Sequence, residues 1–436
     1  MSKYLLMSFT EGSMSTWHYL AMLTTIWLVY QYLKPVPIVP GLPVINRAER
    51  WDFFSIKMKR RFLNNAAALM KEGFEQPKLV LSPDYADELK NDARFSLEDA
   101  GLRRHYRMKP ASLFKIIGQT TPISGRAFLG PEVCGDIRWI EATMGYLEMG
   151  VRTAFLLQVF PRFLFPLQRW FPLCRKVRKH IDMAGTILRP VIDSRRADGR
   201  PAQDAISWFD EAAAGETYNP VYSQLSLSFA STHTTADTMT KVIIHLAENP
   251  AVVTDLRKEV VEAIAKHGEL TKTALSQMNL LDSTLKESQR LEPLASATMN
   301  RVTREEVTLS NGLWIPRNMY VLVSGHRMRD PTLYPDPEKF DAYRFVKMRE
   351  IEKKKSDCAY TAATVDHMGF GYGKHSCPGR FFAAHEVKII LCHLILKYEF
   401  KLPEDQARTY LLAGFFTSAG PENELLVRRR VEEIAL

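Results

Sequence analysis

The sequence predicts a mainly α-helical fold with a small β part, because the spacing of apolar residues changes along the C-terminal half. A long helix is predicted from Pro220 to about His245 and another from Pro250 to Gly268, since an asparagine and a first-turn proline start each one. In the second helix, apolar residues recur at four-residue spacing: Val252, Leu256, Val260 and Ile264. A further helix carries Leu281 to Leu291.

After this helical region the period falls to two, which is typical of strands. Five elements are then predicted in order: a β-hairpin of 306–309 and 313–315, a turn within it at 310–312, a strand over 319–324, irregular chain over 330–345, and a last helix from Pro378-Gly379 towards Tyr398. These proportions favour a helical domain with small sheets.

Length and composition restrict the class of protein. The 436 residues allow one large domain or two or three average ones, and an apolar share of 46% supplies enough core to exclude disorder. The formal net charge of +9 suits an anionic membrane surface or an acidic protein partner. No basic stripe with interleaved aromatic residues occurs, so nucleic acid is not an expected partner. The five cysteines are odd in number and widely spaced, which favours a reducing compartment.

The N-terminus contains a candidate membrane segment. Residues Trp17–Leu33 carry no Asp, Glu, Lys or Arg, and aromatic residues lie near both ends of the segment. A proline-rich hinge over Lys34–Gly41 and several basic residues follow, which predicts that the remaining chain stays cytosolic. We expect residues 1–34 to be a single-pass anchor in the endoplasmic reticulum and residues 35–436 to be the catalytic domain. A cleaved signal peptide and a core helix are the alternatives.

The strongest local motif is Phe370–Arg380, FGYGKHSCPGR. Its glycines allow a tight loop with close backbone approach to a flat ligand. Cys377 lies just before the last predicted helix, whose N-terminus stabilises a thiolate. Taken alone, a cysteine near glycines is more often a small buried residue.

The full string resembles the haem-binding signature of the cytochrome P-450 family, F-x-x-G-x-x-x-C-x-G. The resemblance implies a cytochrome P-450 fold, haem b as cofactor and the Cys377 thiolate as its axial iron ligand. It also implies that three further loop residues bind the cofactor: Phe370, Gly373 and Gly379.

Two further motifs follow the family's order. Glu287 and Arg290 match its E-x-x-R helix and, three residues apart, share a helix face. Arg344, in the segment FDAYRF, resembles the arginine that joins this pair. The resemblance implies a structural network of these three residues below the haem, whereas an isolated E-x-x-R is usually a surface ion pair.

The segment Ala230–Thr235 resembles the family's oxygen-activation motif, which implies that Thr234 is the threonine whose hydroxyl holds water near dioxygen. Ser231 replaces the usual glycine and His233 the usual acid, as in many fungal secondary-metabolism members. An imidazole can also relay protons near neutral pH. The alternative is a polar stripe on a core helix.

By similarity, Arg301 and His375 are candidate partners of the haem propionates, with a surface role as the alternative. The family's W-x-x-x-R helix, which also reaches a propionate, has no counterpart between Leu97 and Phe128. The stretch Ala100–Arg107 lies roughly where that helix would be expected. Because the helix is missing, the fold is predicted to be shortened in its N-terminal half.

These resemblances imply a monooxygenase that inserts one oxygen atom of O2 into a hydrophobic intermediate, with electrons from NADPH through a flavoprotein reductase. Similarity to fungal biosynthetic enzymes suggests a terpenoid or meroterpenoid substrate that enters from the lipid bilayer. One alternative is a truncated, non-catalytic remnant with weak or no haem binding, favoured by the missing helix. Another is a thiolate-haem isomerase or a peroxide-dependent enzyme.

Overall fold

The computed structural model describes residues 61, 78–96, 121–159, 162–199, 202–351, 356–404, 406–420 and 422–435. The α-helices are α1 Ala86–Leu89, α2 Thr121–Leu129, α3 Ile137–Val159, α4 Pro172–Asp198, α5 Ala205–Ala213, α6 Pro220–Glu248, α7 Pro250–His267, α8 Lys272–Gln277, α9 Asn279–Leu291, α10 Arg344–Glu350 and α11 Arg380–Lys397. Short 3-10 helices span Pro83–Tyr85, Arg162–Trp170, His326–Arg329 and Gly373–His375. The strands are β1 Lys78–Leu81, β2 Phe95–Ser96, β3 Ala297–Thr303, β4 Val307–Thr308, β5 Trp314–Ile315, β6 Tyr320–Ser324, β7 Tyr398–Lys401, β8 Tyr410–Ala413, β9 Phe416–Ala419 and β10 Leu426–Arg429.

Capping residues mark the start of α6 and the end of α7. Asn219 accepts hydrogen bonds from the backbone N–H groups of Val221 and Tyr222 at 3.1 and 3.3 Å, which satisfies donors at the start of α6. Gly268 ends α7 with φ 79°, a left-handed conformation that glycine adopts at low cost. Both predicted helices are confirmed.

The main apolar core lies between α6, α7, α9 and α11. Leu256, Val260 and Ile264 of α7 are buried in it, as their four-residue spacing predicts, and they share a cluster with residues of the other three helices. From α6 and α11 the cluster includes Ala236, Met239, Val242, Ala384, Val387 and Leu391. These two helices therefore pack together along their later turns.

The β part is small, as predicted, and its largest sheet has the strand order β1-β6-β3-β2. β1 pairs with β6 in parallel, and the other two pairings are antiparallel. The predicted hairpin is present as β4 with β5, in which Val307 opposes Ile315. Two further antiparallel pairs, β8–β9 and β7–β10, complete the C-terminal region.

Two details differ from the sequence-based expectation. Strand β3 was not predicted, although its burial is almost continuous, because it lacks the alternation of a half-buried strand. Arg344 and Phe345 were assigned to irregular chain but begin α10, where both side chains are buried.

The candidate anchor Trp17–Leu33 and the hinge after it lie outside the described residues. Among the residues that the structure describes, no helix is both long and apolar enough to cross a membrane.

Candidate functional site

The Phe370–Arg380 segment folds into a closed loop before α11. The backbone N–H of Cys377 donates to the carbonyl of Phe370 at 2.8 Å, so the two ends of the motif meet. Gly371 and Gly373 adopt φ values of 75° and 78°, which side-chain-bearing residues rarely adopt. The glycine positions of the motif therefore follow from the backbone turn that presents Cys377.

The loop is docked against the end of α1. A Cβ added to Gly373 would lie 2.3 Å from Cβ of Lys90, so only glycine fits this approach without displacement. The Tyr372 hydroxyl donates to Asp87 at 2.8 Å, and the Lys374 N–H donates to the Asn91 side chain at 2.9 Å. These contacts hold the loop against the end of α1.

Cys377 is half-buried, whereas three of the other four cysteines are buried. Cys174 and Cys392 are buried, and burial raises the pKa of both thiols, for Cys392 to about 12. Cys377 instead lies three residues before the first residue of α11, and the Arg380 guanidinium donates to its carbonyl at 2.9 Å. All five cysteines are free, so Cys377 is available as a ligand.

The structure brings Glu287, Arg290 and Arg344 together. Arg290 donates two hydrogen bonds to the Glu287 carboxylate at 2.8 and 2.9 Å, and the Arg344 Nε lies 3.0 and 3.1 Å from its two oxygens. Glu287 and Arg290 are fully buried. The surface ion pair considered for this motif is therefore excluded.

Both arginines also hold the irregular segment that precedes α10. Arg290 donates to the carbonyls of Met328 and Pro337 at 2.7 and 2.8 Å, and Arg344 donates to that of Pro335 at 2.6 Å. The network thus supplies hydrogen-bond donors to backbone carbonyls that lie outside the α-helices and strands.

The polar segment of α6 is only partly buried. The Thr234 hydroxyl donates to the Ala230 carbonyl at 2.7 Å, which keeps it bonded within its own helix. Burial lowers the pKa of His233, so its imidazole is neutral near pH 7. Ser231 is half-buried on the same turn.

Apolar side chains are exposed near Thr234 in the sequence of α6 and in the first turn of α11, just after Cys377. Phe229 and Ala230 are exposed on α6, and Phe381 and Phe382 on α11. A flat apolar ligand that covers such side chains is stabilised by removing their surface from water.

Arg301 and His375, both predicted as propionate partners, lie in different environments. Arg301 is buried in β3 with 2% of its surface exposed, and no residue in the described part of the chain accepts a hydrogen bond from its Nε. Its NH1 group donates to the Asn300 carbonyl, and burial lowers the pKa of Arg301. His375 is exposed in a 3-10 turn. A buried guanidinium without a carboxylate among the described residues fits an anionic group of a cofactor.

Two groups near the site were not predicted from the sequence. Asp237 and Lys241 form a buried ion pair at 2.7 Å on α6, and Lys286 is buried beside the carbonyls of Ala359 and Ala362. Opposite charges four residues apart on one helix were the available sequence signal for the Asp237–Lys241 ion pair. Nothing in the sequence around Lys286 indicates its burial.

Comparison with known proteins decides the family. The family model for cytochrome P-450 matches residues 145–424, which include every motif described above. The chain belongs to the cytochrome P-450 family. The predicted membership, of the fungal secondary-metabolism type, is therefore confirmed, as is the enzyme class of cytochrome P-450 monooxygenase.

The relatives are similar over most of the chain. Cytochrome P-450 monooxygenase olcG of Penicillium canescens is 33% identical over 453 positions, covering 91% of each chain. Cytochrome P-450 monooxygenase trt6 of Aspergillus terreus is 37% identical and covers 91% of this chain and 80% of its own. Among solved structures, a retinoic-acid-bound cyanobacterial CYP120A1 matches with a TM-score of 0.56 and 18% identity, covering 80% of this chain and 75% of its own. This last likeness shows that the cytochrome P-450 fold is present.

The alignment with the Penicillium enzyme also contains positions that this chain lacks. The alignment with the Penicillium enzyme extends over 453 positions but includes only 91% of the 436 residues here, so several dozen positions hold no residue of this chain. The stretch Ala100–Arg107, where the missing propionate-binding helix was expected, lies outside the described residues.

Proposed function

We propose that this cytochrome P-450 is a haem-dependent monooxygenase of secondary metabolism with the Cys377 thiolate as its iron ligand. Two observations carry the proposal: Cys377 is half-buried in a closed loop, and Arg301 is a buried guanidinium to which the described residues offer no carboxylate. When bound, the haem supplies activation of dioxygen, which the thiolate ligand assists by donating electron density. The comparisons do not favour a non-catalytic remnant, since relatives named monooxygenases align with 91% of this chain.

The residues around the haem have separate tasks. Cys377 binds the iron, and Phe370, Gly373 and Gly379 shape the loop that presents it. A Cβ added to Gly379 would lie 4.0 Å from the Cys377 sulfur, so this residue leaves room next to the ligand atom. Arg301, in β3, would pair with a haem propionate. The exposed His375 is a second, weaker candidate for that contact. Glu287, Arg290 and Arg344 maintain the backbone beneath the site.

Proton delivery falls to Thr234 and His233. The Thr234 hydroxyl donates within the helix and leaves its oxygen lone pairs to accept from water. His233 is neutral near pH 7, because burial lowers its pKa, and a neutral imidazole has one nitrogen that accepts a proton and one that donates. This arrangement supports a relay in which His233 takes the place of the usual acid.

The substrate we propose is a hydrophobic terpenoid or meroterpenoid intermediate. The apolar side chains exposed beside Thr234 and Cys377 support an apolar ligand, and the electrons would come from NADPH through a flavoprotein reductase. We further propose that residues 1–34 anchor the chain in the endoplasmic reticulum, with residues 35–436 cytosolic. The apolar segment Trp17–Leu33 and the basic residues after it support this location.

The proposal is tested by measuring how much of the consumed NADPH leads to oxygenated product. Full-length protein, a fungal reductase and a panel of terpenoid substrates are incubated with NADPH, and product and peroxide are both measured. The wild type should form oxygenated product, whereas Thr234→Ala should consume NADPH and release peroxide instead. Thr254→Ala, a threonine on the exposed surface of α7, serves as the control and should behave as wild type. A haem-loaded wild type that oxidises substrates equally well with peroxide alone would instead favour the peroxide-dependent enzyme.

A further inference from the structure

The buried ion pair Asp237–Lys241 lies next to the catalytic segment of α6. Asp237 follows Thr234 by three residues and Lys241 follows Asp237 by four, so both lie within two turns of that threonine. Asp237 is fully buried and 2% of Lys241 is exposed. Compared with apolar residues of similar size, a buried ion pair adds little net stability. Stability alone therefore does not account for this pair.

Both side chains hold the β8–β9 hairpin. The Asp237 carboxylate accepts from the Ser418 hydroxyl at 2.6 Å and from the Ala419 N–H at 2.8 Å. The Lys241 ammonium donates to the Thr417 carbonyl at 2.8 Å. Three consecutive residues of β9 are thus fixed to one face of α6 by charge-assisted hydrogen bonds.

The hairpin is also bonded to the chain that leads into β3. The Ser296 N–H donates to the Phe415 carbonyl at 2.9 Å, and the Thr417 N–H donates to the Leu294 carbonyl at 3.1 Å. β3 begins at Ala297 and carries Arg301, the candidate propionate partner. The hairpin therefore connects the helix that carries Thr234 with the strand that carries Arg301.

We infer that Asp237 and Lys241 are positioning residues that fix the β8–β9 hairpin between α6 and β3 and thereby set the shape of the substrate space. This inference rests on the proposed function, because it assumes that haem occupies the space between Cys377 and α6. Loss of the Asp237 charge leaves the Lys241 ammonium buried and unpaired, which displaces the hairpin. The substrate space then changes while the cysteine loop, which the pair does not contact, keeps its structure.

Binding of two azoles of different size provides the measurement. Imidazole and 4-phenylimidazole both ligate ferric haem through a nitrogen. Only the larger one would contact the walls of the substrate space. The dissociation constant of each is measured by spectral titration of the full-length holoenzyme. In Asp237→Asn, the ratio of the two constants should change at least fivefold, whereas the constant for imidazole should stay within twofold of wild type.

The double variant Asp237→Leu with Lys241→Met separates positioning from stability. It removes both buried charges, so its stability against urea should recover, but it has no donors or acceptors for the hairpin. The ratio should therefore stay shifted. A purely stabilising role predicts that the ratio recovers together with the stability, and this result would overturn the inference.

Asp204→Asn is the matched control. The Asp204 carboxylate is buried like that of Asp237 and accepts from the Ser207 N–H at 3.1 Å and from Arg195 at 2.6 Å, but it joins α4 to α5. Its azole ratio should equal that of wild type. An unchanged ratio in both Asp237 variants, or haem loss in both but not in Asp204→Asn, contradicts the inference. A wild type that gives no azole spectrum refutes the proposed function instead.

Discussion

Replacing Glu287 by Gln should destabilise the protein by about 3–5 kcal/mol, because it leaves two buried guanidinium groups without a counter-charge. Glu287 accepts bonds from Arg290 at 2.8 and 2.9 Å, from Arg344 at 3.0 and 3.1 Å and from the Asp341 N–H at 3.2 Å. Glutamine keeps one acceptor oxygen but no charge. Since a whole domain is stable by only about 5–15 kcal/mol, the loss should remove a large share of that stability.

Urea unfolding followed by far-UV circular dichroism measures this loss, with the Soret absorbance recorded in parallel. Glu148→Gln is the matched control, because Glu148 forms an exposed ion pair with Arg152 at 2.7 Å on α3. Removal of an exposed pair costs at most about 1 kcal/mol. If Glu287→Gln and Glu148→Gln unfold at the same urea concentration, the network does not maintain the fold as described.

Three further predictions concern Lys286, Arg301 and the two buried cysteines Cys174 and Cys392. Burial lowers the pKa of Lys286 from 10.5 to about 8, so between these values the unfolded state binds more protons. The stability of wild type relative to Lys286→Met should therefore rise from pH 8 to pH 10 in urea titrations, and a constant difference would show that Lys286 stays charged when folded. Arg301→Met should speed haem transfer to apomyoglobin about tenfold, since a charge-assisted hydrogen bond contributes about 1.5–3 kcal/mol, and an unchanged rate would exclude the propionate contact. Cys174→Ala and Cys392→Ala should both keep the thiolate-type Soret band, because a buried thiol with a raised pKa does not ligate iron, and loss of the band in either would question Cys377.

The sequence predicted those features that depend on neighbouring residues. The start of α6 follows from Asn219 and Pro220, and the end of α7 from Gly268. The cysteine loop follows in the same way, since Gly371 and Gly373 adopt the positive φ values that its turn requires. The fold class followed from the same periodicities together with the family resemblance.

Features that join distant parts of the chain could not be predicted in this way. The parallel pairing of Lys78 with Tyr320 and the contact of Gly373 with Lys90 join segments more than 200 residues apart, and neither leaves a local pattern. Arg301 and His375 were predicted together as propionate partners, yet only Arg301 is buried, because exposure depends on how the sheet packs.

The spectrum of the reduced, carbon-monoxide-bound holoenzyme tests the central claim most directly. A thiolate ligand gives a Soret band near the wavelength from which the cytochrome P-450 family takes its name. We predict this band for wild type and its loss in Cys377→Ser. The band should be unchanged in Cys358→Ser, at a buried cysteine that packs with Tyr334 and Phe345. A thiolate-type band in Cys377→Ser, or a wild type that binds no haem, would contradict the account.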